Sequence, residues 1–119
     1  MVDSGGQYLD GTTDVTRTFH YGEPSEEQIE RYTDVLRGAI ELARVVVPQD
    51  TLDTSIDLAT RQFLFKKGLD YRHGTGHGIG AYLEVHEGPI RVGMKNSIPG
   101  SFEVGMFFSD EPGYYQVDT

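Results

Sequence analysis

Apolar residues fall at Ile29, Tyr32, Leu36, Ala39, Ile40, Ala43 and Val47, in three- and four-residue steps that trace one stripe along a helix. Ser25 suits the N-cap, and Gln28 three residues later completes a capping box. Glu26 and Glu27 favour the positive end of the helix dipole. Pro48 ends the helix, because the residue before a proline avoids helical angles. The pattern therefore predicts a helix from Ser25 towards Pro48 with that stripe buried. A second helix is expected from about Asp53 to Lys67, with Ile56, Ala59 and Phe63 on one stripe. Lys66 and Lys67 suit its negative end, and Gly68 is a natural terminator.

The flanking segments alternate differently. Met1–Asp3 and Val15–Phe19 suit strands, with turn or bulge chemistry at Gly5-Gly6 and Asp10-Gly11 between them. After the second helix, a glycine-rich loop holds His73, His77 and, further on, His86. Ile90–Met94 reads as a short strand, Lys95–Gly100 as a polar turn region and Phe102–Ser109 as an apolar strand. Pro112 then breaks the ladder after Asp110-Glu111. This order predicts an α+β fold, an antiparallel sheet with helices packed on one face.

Composition narrows the chemistry. The 119 residues suffice for one modest domain. A net charge of -9 with no basic cluster excludes nucleic acid as a partner, and leaves room for bound cations. Without cysteine there is no disulfide, thiol nucleophile or thiolate metal site, so any metal must be held by oxygen and imidazole. No apolar run approaches the roughly 20 residues of a membrane span.

A hairpin at the start of the chain can bring Asp3 and Asp14 to one face of neighbouring strands. Carboxylates that close need a shared proton or a cation. The ordinary alternative is that Asp14 caps a turn and Asp3 is an exposed loop residue. His73 and His77 stand four apart, but Gly74-Thr75-Gly76 between them makes a zinc-binding helix improbable, and the glutamate of a His-Glu-x-x-His motif is missing. A dinucleotide fingerprint would need glycine at Ile79. What remains is a loop carrying His77, with His73 and His86, into a cleft; any one of them alone is more often structural than a ligand, and three within fourteen residues point towards a site. Glu111 stands where a strand opens before Pro112-Gly113. Asp3, Asp14, His77 and Glu111 together suit divalent first-row ions such as Mn²⁺, Co²⁺ or Zn²⁺. Two such ions can hold a bridging water and stabilise a tetrahedral oxyanion, which is hydrolase chemistry.

Five stretches carry a family resemblance: Val2–Tyr8, Asp10–Thr18, His73–Gly80, Val85–Pro89 and Phe108–Tyr115. Together they closely resemble the catalytic domain of Xaa-Pro aminopeptidases, in the pita-bread group with methionine aminopeptidase, prolidase and creatinase. The resemblance implies a partial pita-bread fold. It also implies hydrolysis of the N-terminal Xaa-Pro bond through a metal-bridging water or hydroxide, and two divalent ions, Mn²⁺ first. Asp3 and Asp14 match metal ligands, Asp14 bridging; His77 matches the histidine ligand. Glu111 matches a ligand that also takes part in proton transfer, and His73 and His86 match histidines facing the substrate without binding metal. Peptides with proline at the second position are the implied partners. A homodimeric parent and a cytoplasmic location accompany that expectation.

The abrupt ends lead to the expectation that residues 1–119 are the central part of a catalytic domain, truncated on both sides. The family's second bridging glutamate would lie beyond Thr119, and a proton-shuttling histidine before Met1. Such a segment alone is expected to bind metal weakly and hydrolyse little. The alternatives are a prolidase-type dipeptidase and a pita-bread peptide-binding module without catalysis. The surviving ligand positions argue against the second, and against metal-free creatinase-like chemistry.

Overall fold

The computed structural model describes residues 1–117. The hairpin forms with a tighter turn than the glycines suggested: β1 (Val2–Tyr8) pairs antiparallel with β2 (Gly11–Arg17), and only Leu9-Asp10 connects them. Gly5 and Gly6 lie inside β1, opposite Asp14 and Thr13, rather than turning the chain. The Gly6 N–H also donates to the Thr13 hydroxyl at 2.9 Å, which offsets the missing side-chain packing there. β1 is thus longer than the expected Met1–Asp3, and β2 starts earlier and stops before Thr18.

The helix α1 (Glu26–Arg44) begins as expected, with a complete Ser25–Gln28 capping box. It ends before the β-branched run Val45-Val46-Val47, with Val45 already extended at φ -62 and ψ 134. Its buried residues are Asp34, Gly38 and Leu42. The expected apolar stripe is instead largely open, with Ile29 at 52 %, Tyr32 at 54 %, Leu36 at 47 % and Ile40 at 45 % exposure. The reason lies in the partner helix. Gly38 sits against the Thr60 backbone, where a Cβ would come within 2.6 Å of the carbonyl oxygen, so the helices meet at the glycine. Asp34 is covered there because Lys67 reaches it at 2.5 Å.

The second helix starts later than expected. Asp53–Ser55 form a single 3₁₀ turn, and α2 runs over Asp57–Phe65, with Gly68 beyond it at φ 69. Asp53 is fully buried and clamps the chain on both sides of the polar turn. Its carboxylate accepts from the Arg91 N–H at 2.8 Å, the Gly100 N–H at 3.1 Å and Asn96 at 3.2 Å.

The glycine-rich stretch is not a free loop. β3 (Gly76–His77) pairs antiparallel with β4 (Arg91–Val92). On its other side, Ser109 and Glu111 donate backbone N–H bonds to the carbonyls of His77 and Thr75, and Ile79 donates to Phe107. Residues 75–79 therefore lie between two extended neighbours. The expected strand over Phe102–Ser109 does not form: Gly105 at φ 96 turns the chain, and residues 107–111 run alongside 75–79 with an isolated bridge of Phe108 to Gly78. Pro112, having no N–H, ends the pairing. The fold is α+β with antiparallel pairing throughout the described strands. Leu42, Ile56, Ile90 and Val92 form its buried apolar cluster, backed by Val47, Phe102, Met106 and Phe108.

Candidate metal centre

Hairpin register brings the two aspartates together. Asp14 lies opposite Gly5 and Asp3 opposite Thr16, so strand alternation sends both side chains to one face. Both border an open cleft of about 2470 Å³.

The opposite wall is β3 with the residues on either side of it, 75–79. A Cβ at Gly76 would collide with the Ser109 carbonyl oxygen, so glycine there allows the 107–111 segment to lie close alongside. Ser109 adds a side-chain bond, its hydroxyl accepting the His77 N–H at 3.0 Å. That pairing delivers Glu111 to His77. The imidazole Nε2 is 2.8 Å from Glu111 Oε1 and 3.2 Å from Asp14 Oδ2. Nδ1 lies 3.0 Å from the Gly78 carbonyl, and donating to it assigns the tautomer of a neutral ring. The Nε2 lone pair then faces two carboxylates.

Among the described residues, His77 Nε2 and Glu111 Oε1 are buried without a hydrogen-bond partner. A lone pair and a carboxylate oxygen that close repel each other, and buried polar atoms left unpaired are costly. A divalent cation between them removes both penalties, and the oxygen–imidazole donor set suits one. The residues present therefore fit a metal.

His86 approaches from the segment after β3, its ring edge-on to His77 with centroids 4.1 Å apart. One ligand atom each from Asp14, His77 and His86 lie within 4.8 Å of one another. Asp3 lies outside that tight group, although its charge, after burial and Glu111, helps push the Tyr115 hydroxyl pKa up. Asp110 keeps part of its surface exposed, yet partial burial first and the adjacent Glu111 charge second push its carboxyl up to about 6.

His73 stands apart from the donor group. Its Nδ1 is 2.7 Å from its neighbour's carbonyl at Gly74, and Nε2 accepts from the Tyr115 hydroxyl at 2.9 Å. Its own carbonyl is fixed by a network that the sequence reading missed. Buried Arg61 bonds to the carbonyls of His73 and Tyr71, each at 2.7 Å, and to Asp57 at 2.6 Å and Asp70 at 2.7 Å. Burial opposes the guanidinium charge, but the bonds to Asp57 and Asp70 outweigh it and raise its pKa. The same group stacks over the Tyr71 ring at 3.9 Å. Thr75 joins this network through the Tyr71 hydroxyl and Asp57. The signal available was the i,i+4 spacing of Asp57 and Arg61 on the helix.

The donor set lies between a hairpin and a glycine-tightened extended segment, and it fits a metal. The profile of metallopeptidase family M24 matches residues 1–119, and the chain belongs to that family. It is 54 % identical over 117 residues to a probable Xaa-Pro aminopeptidase P of Paracoccidioides brasiliensis (strain Pb03), covering 98 % of this chain and 19 % of that protein. The chain thus spans about a fifth of the length of that relative. Among solved structures, it resembles the X-prolyl aminopeptidase of Caenorhabditis elegans, described as a cytosolic enzyme with a di-nuclear active site. There the TM-score is 0.88 at 48 % identity, covering 96 % of this chain and 18 % of that one. The prolidase of Pyrococcus furiosus matches at a TM-score of 0.83 and 30 % identity, covering 96 % and 33 %. The fold is accordingly a partial pita-bread fold.

Proposed function

We propose that these residues belong to a metal-dependent peptidase that removes an N-terminal residue preceding proline. The observation that carries this reading is the unpartnered buried pair, His77 Nε2 and Glu111 Oε1, facing Asp14. Asp3, Asp14, His77 and Glu111 would hold two divalent ions, Mn²⁺ first, with Zn²⁺ or Co²⁺ as alternatives. Bound there, the ions supply Lewis acidity to the scissile carbonyl and lower the pKa of the attacking water.

The chain's own residues do the rest. Glu111 stands beside His77 with Oε1 towards the metal position, and its other carboxylate oxygen would take a proton during attack. His73 and His86 line the same cleft and face the peptide. His73 is held at both ring nitrogens, Nδ1 by the Gly74 carbonyl and Nε2 by the Tyr115 hydroxyl, so a peptide would meet the ring already fixed in orientation. An open cleft suits an X-Pro substrate, whose tertiary amide has no N–H to pair with a strand edge.

The likeness to solved prolidases keeps a second reading alive, in which the substrate is a dipeptide. Hydrolysis of a short X-Pro-X peptide by the full-length chain, set against the X-Pro dipeptide, separates the two. The aminopeptidase reading expects the longer peptide to be preferred and Asp14→Ala to lower its turnover by a thousandfold or more. Equal turnover in Asp14→Ala would overturn both readings. A cytoplasmic location is inferred from the cytosolic relative; among the described residues no helix is long and apolar enough to cross a membrane.

A further inference from the structure

Thr75 is fully buried two residues before His77, and it is tied in three directions. Its N–H donates to the Val92 carbonyl of β4 at 2.7 Å, and its carbonyl accepts the Glu111 N–H at 2.8 Å. The third tie is its hydroxyl, which donates to Asp57 Oδ1 of α2 and meets the Tyr71 hydroxyl. One residue therefore connects the second helix to the backbone bond that holds Glu111.

The protons of this cluster have one consistent order. A carboxylate only accepts, so the Thr75 proton is committed to Asp57. The Thr60 hydroxyl donates to the Asp57 carbonyl at 2.7 Å, which commits a second proton. Tyr71 supplies the third to the Thr75 and Thr60 oxygens, and burial pushes its pKa up, so it remains a donor. Arg61 completes the cluster from the other side. Its Nε donates to Asp57 Oδ2 at 2.6 Å, and its other nitrogens hold the Tyr71 and His73 carbonyls. Asp57 and Arg61 thus grip the chain at residues 71, 73 and 75, immediately before His77.

Stability alone gives little reason for such a cluster. Buried ion pairs exchanged for apolar residues of similar volume are often neutral or stabilising. A fully satisfied polar network does something else, which is to fix atoms in place. What it fixes here is Thr75, whose carbonyl holds the Glu111 N–H while the His77 carbonyl holds the Ser109 N–H at 2.9 Å. Those two bonds bring Glu111 Oε1 to 2.8 Å from His77 Nε2.

We propose that Thr75 is a positioning residue for the metal centre: its hydroxyl, ordered by Asp57 and Arg61, sets the carbonyl that holds Glu111, and so the spacing of the Glu111 and His77 donors. Thr75 acts through Glu111, its own hydroxyl being spent within the buried cluster. The proposal rests on the metallopeptidase reading above and extends it to residues behind the cleft wall.

Isothermal titration of the full-length chain with Mn²⁺ alone tests this. Thr75→Val keeps the branched shape and removes the hydroxyl. Its Mn²⁺ affinity should fall about 10-fold, the scale seen when an outer partner of a metal ligand is lost. Thr75→Ser keeps the hydroxyl and should retain the wild-type affinity. Thr60→Val removes a hydroxyl from the same cluster, but its backbone lies in α2 and holds neither β3 nor Glu111. It should lower the melting temperature and leave Mn²⁺ affinity unchanged, a separation that general loosening of the fold does not produce. Wild-type affinity in Thr75→Val, or equal losses in Thr75→Val and Thr60→Val, would overturn the proposal while the metallopeptidase reading stands. Equal losses in Thr75→Val and Thr75→Ser would trace the effect to the methyl group and overturn it too. A wild-type chain that binds no Mn²⁺ would defeat both. If circular dichroism shows Thr75→Val unfolded, Tyr71→Phe takes one partner from the same hydroxyl; reduced affinity there supports the proposal, and unchanged affinity defeats it.

Discussion

Glu111 Oε1 and His77 Nε2 lie 2.8 Å apart, both buried, and neither is hydrogen-bonded among the described residues. Strand pairing imposes this relationship: Glu111 donates its N–H to Thr75, and Ser109 donates to His77. With Nδ1 donating to the Gly78 carbonyl, the backbone thus holds the Nε2 lone pair against a carboxylate oxygen, an arrangement that a bound cation stabilises.

A divalent ion should therefore stabilise the fold. At one hundred times its dissociation constant a ligand specific for the native state adds about 2.7 kcal/mol. Thermal melts with Mn²⁺ in that range should shift upward by several degrees, and His77→Ala or Glu111→Ala should abolish the shift. A shift that survives in both variants would place the ion elsewhere.

Arg61 ties α2 to the carbonyls of Tyr71 and His73 while neutralising fully buried Asp57. Arg61→Ala leaves that carboxylate uncompensated, a loss of about 3–5 kcal/mol. Denaturant unfolding should register it. The double variant Arg61→Met with Asp57→Leu should recover much of the loss, since it leaves no buried charge uncompensated, although the Tyr71 and His73 carbonyls lose their donor. No recovery would mean that the backbone bonds matter more than the ion pair.

Gly76→Ala puts a methyl group into the Ser109 carbonyl. Overpacking of this kind costs about 1–3 kcal/mol. Because the segment that must move also bears Glu111, the variant should lose metal affinity as well as stability. Isothermal titration with Mn²⁺ checks this, and unchanged affinity would detach Gly76 from the centre.

Lys67 joins Glu30 at 2.6 Å and Asp34 at 2.5 Å across the two helices. The bond to Lys67 lowers the Glu30 pKa below its ordinary 4.5, so this contribution is present above that pH and fades as pH falls through the lowered value. Bonds to Asp34 and then Glu30 raise the Lys67 pKa above its ordinary 10.5; that contribution is present below 10.5 and fades as pH rises through the raised value. The contribution of this ion-pair cluster should therefore hold a plateau between about pH 5 and 10 and fade on both sides, which the difference in melting temperature between wild type and Lys67→Gln isolates. Lys67→Gln should lower the plateau and flatten both limbs. A curve merely displaced, with the limbs unchanged, would assign the pH dependence to other groups.

Local chemistry was legible wherever neighbours in the chain decide it. Ser25 and Gln28 cap α1 because both bonds lie within one turn. Gly68 follows the last turn of α2 for the same reason. The buried side of α1 was not legible. Periodicity marked Ile29, Tyr32, Leu36 and Ile40, yet Gly38 allows α2 to approach and Asp34 is buried under Lys67, so the packed side turned towards them. The strand that does not form has a similar cause: apolar content marked Phe102–Ser109, whereas the carbonyls of Thr75 and His77 hold 107–111.

The sequence by itself determined which donors are available: aspartate, glutamate and histidine without cysteine, with a proline after Glu111 to end a strand. It also placed Asp3, Asp14, His77 and Glu111 on segments able to meet. Only the tertiary structure decided that His86 stands with Asp14 and His77, and that His73 is held by Tyr115 instead. Residue types and local bonds are properties of a few neighbouring positions. The distance from Asp14 to His77 depends on how a hairpin sits against a strand more than sixty residues away, which no local pattern encodes.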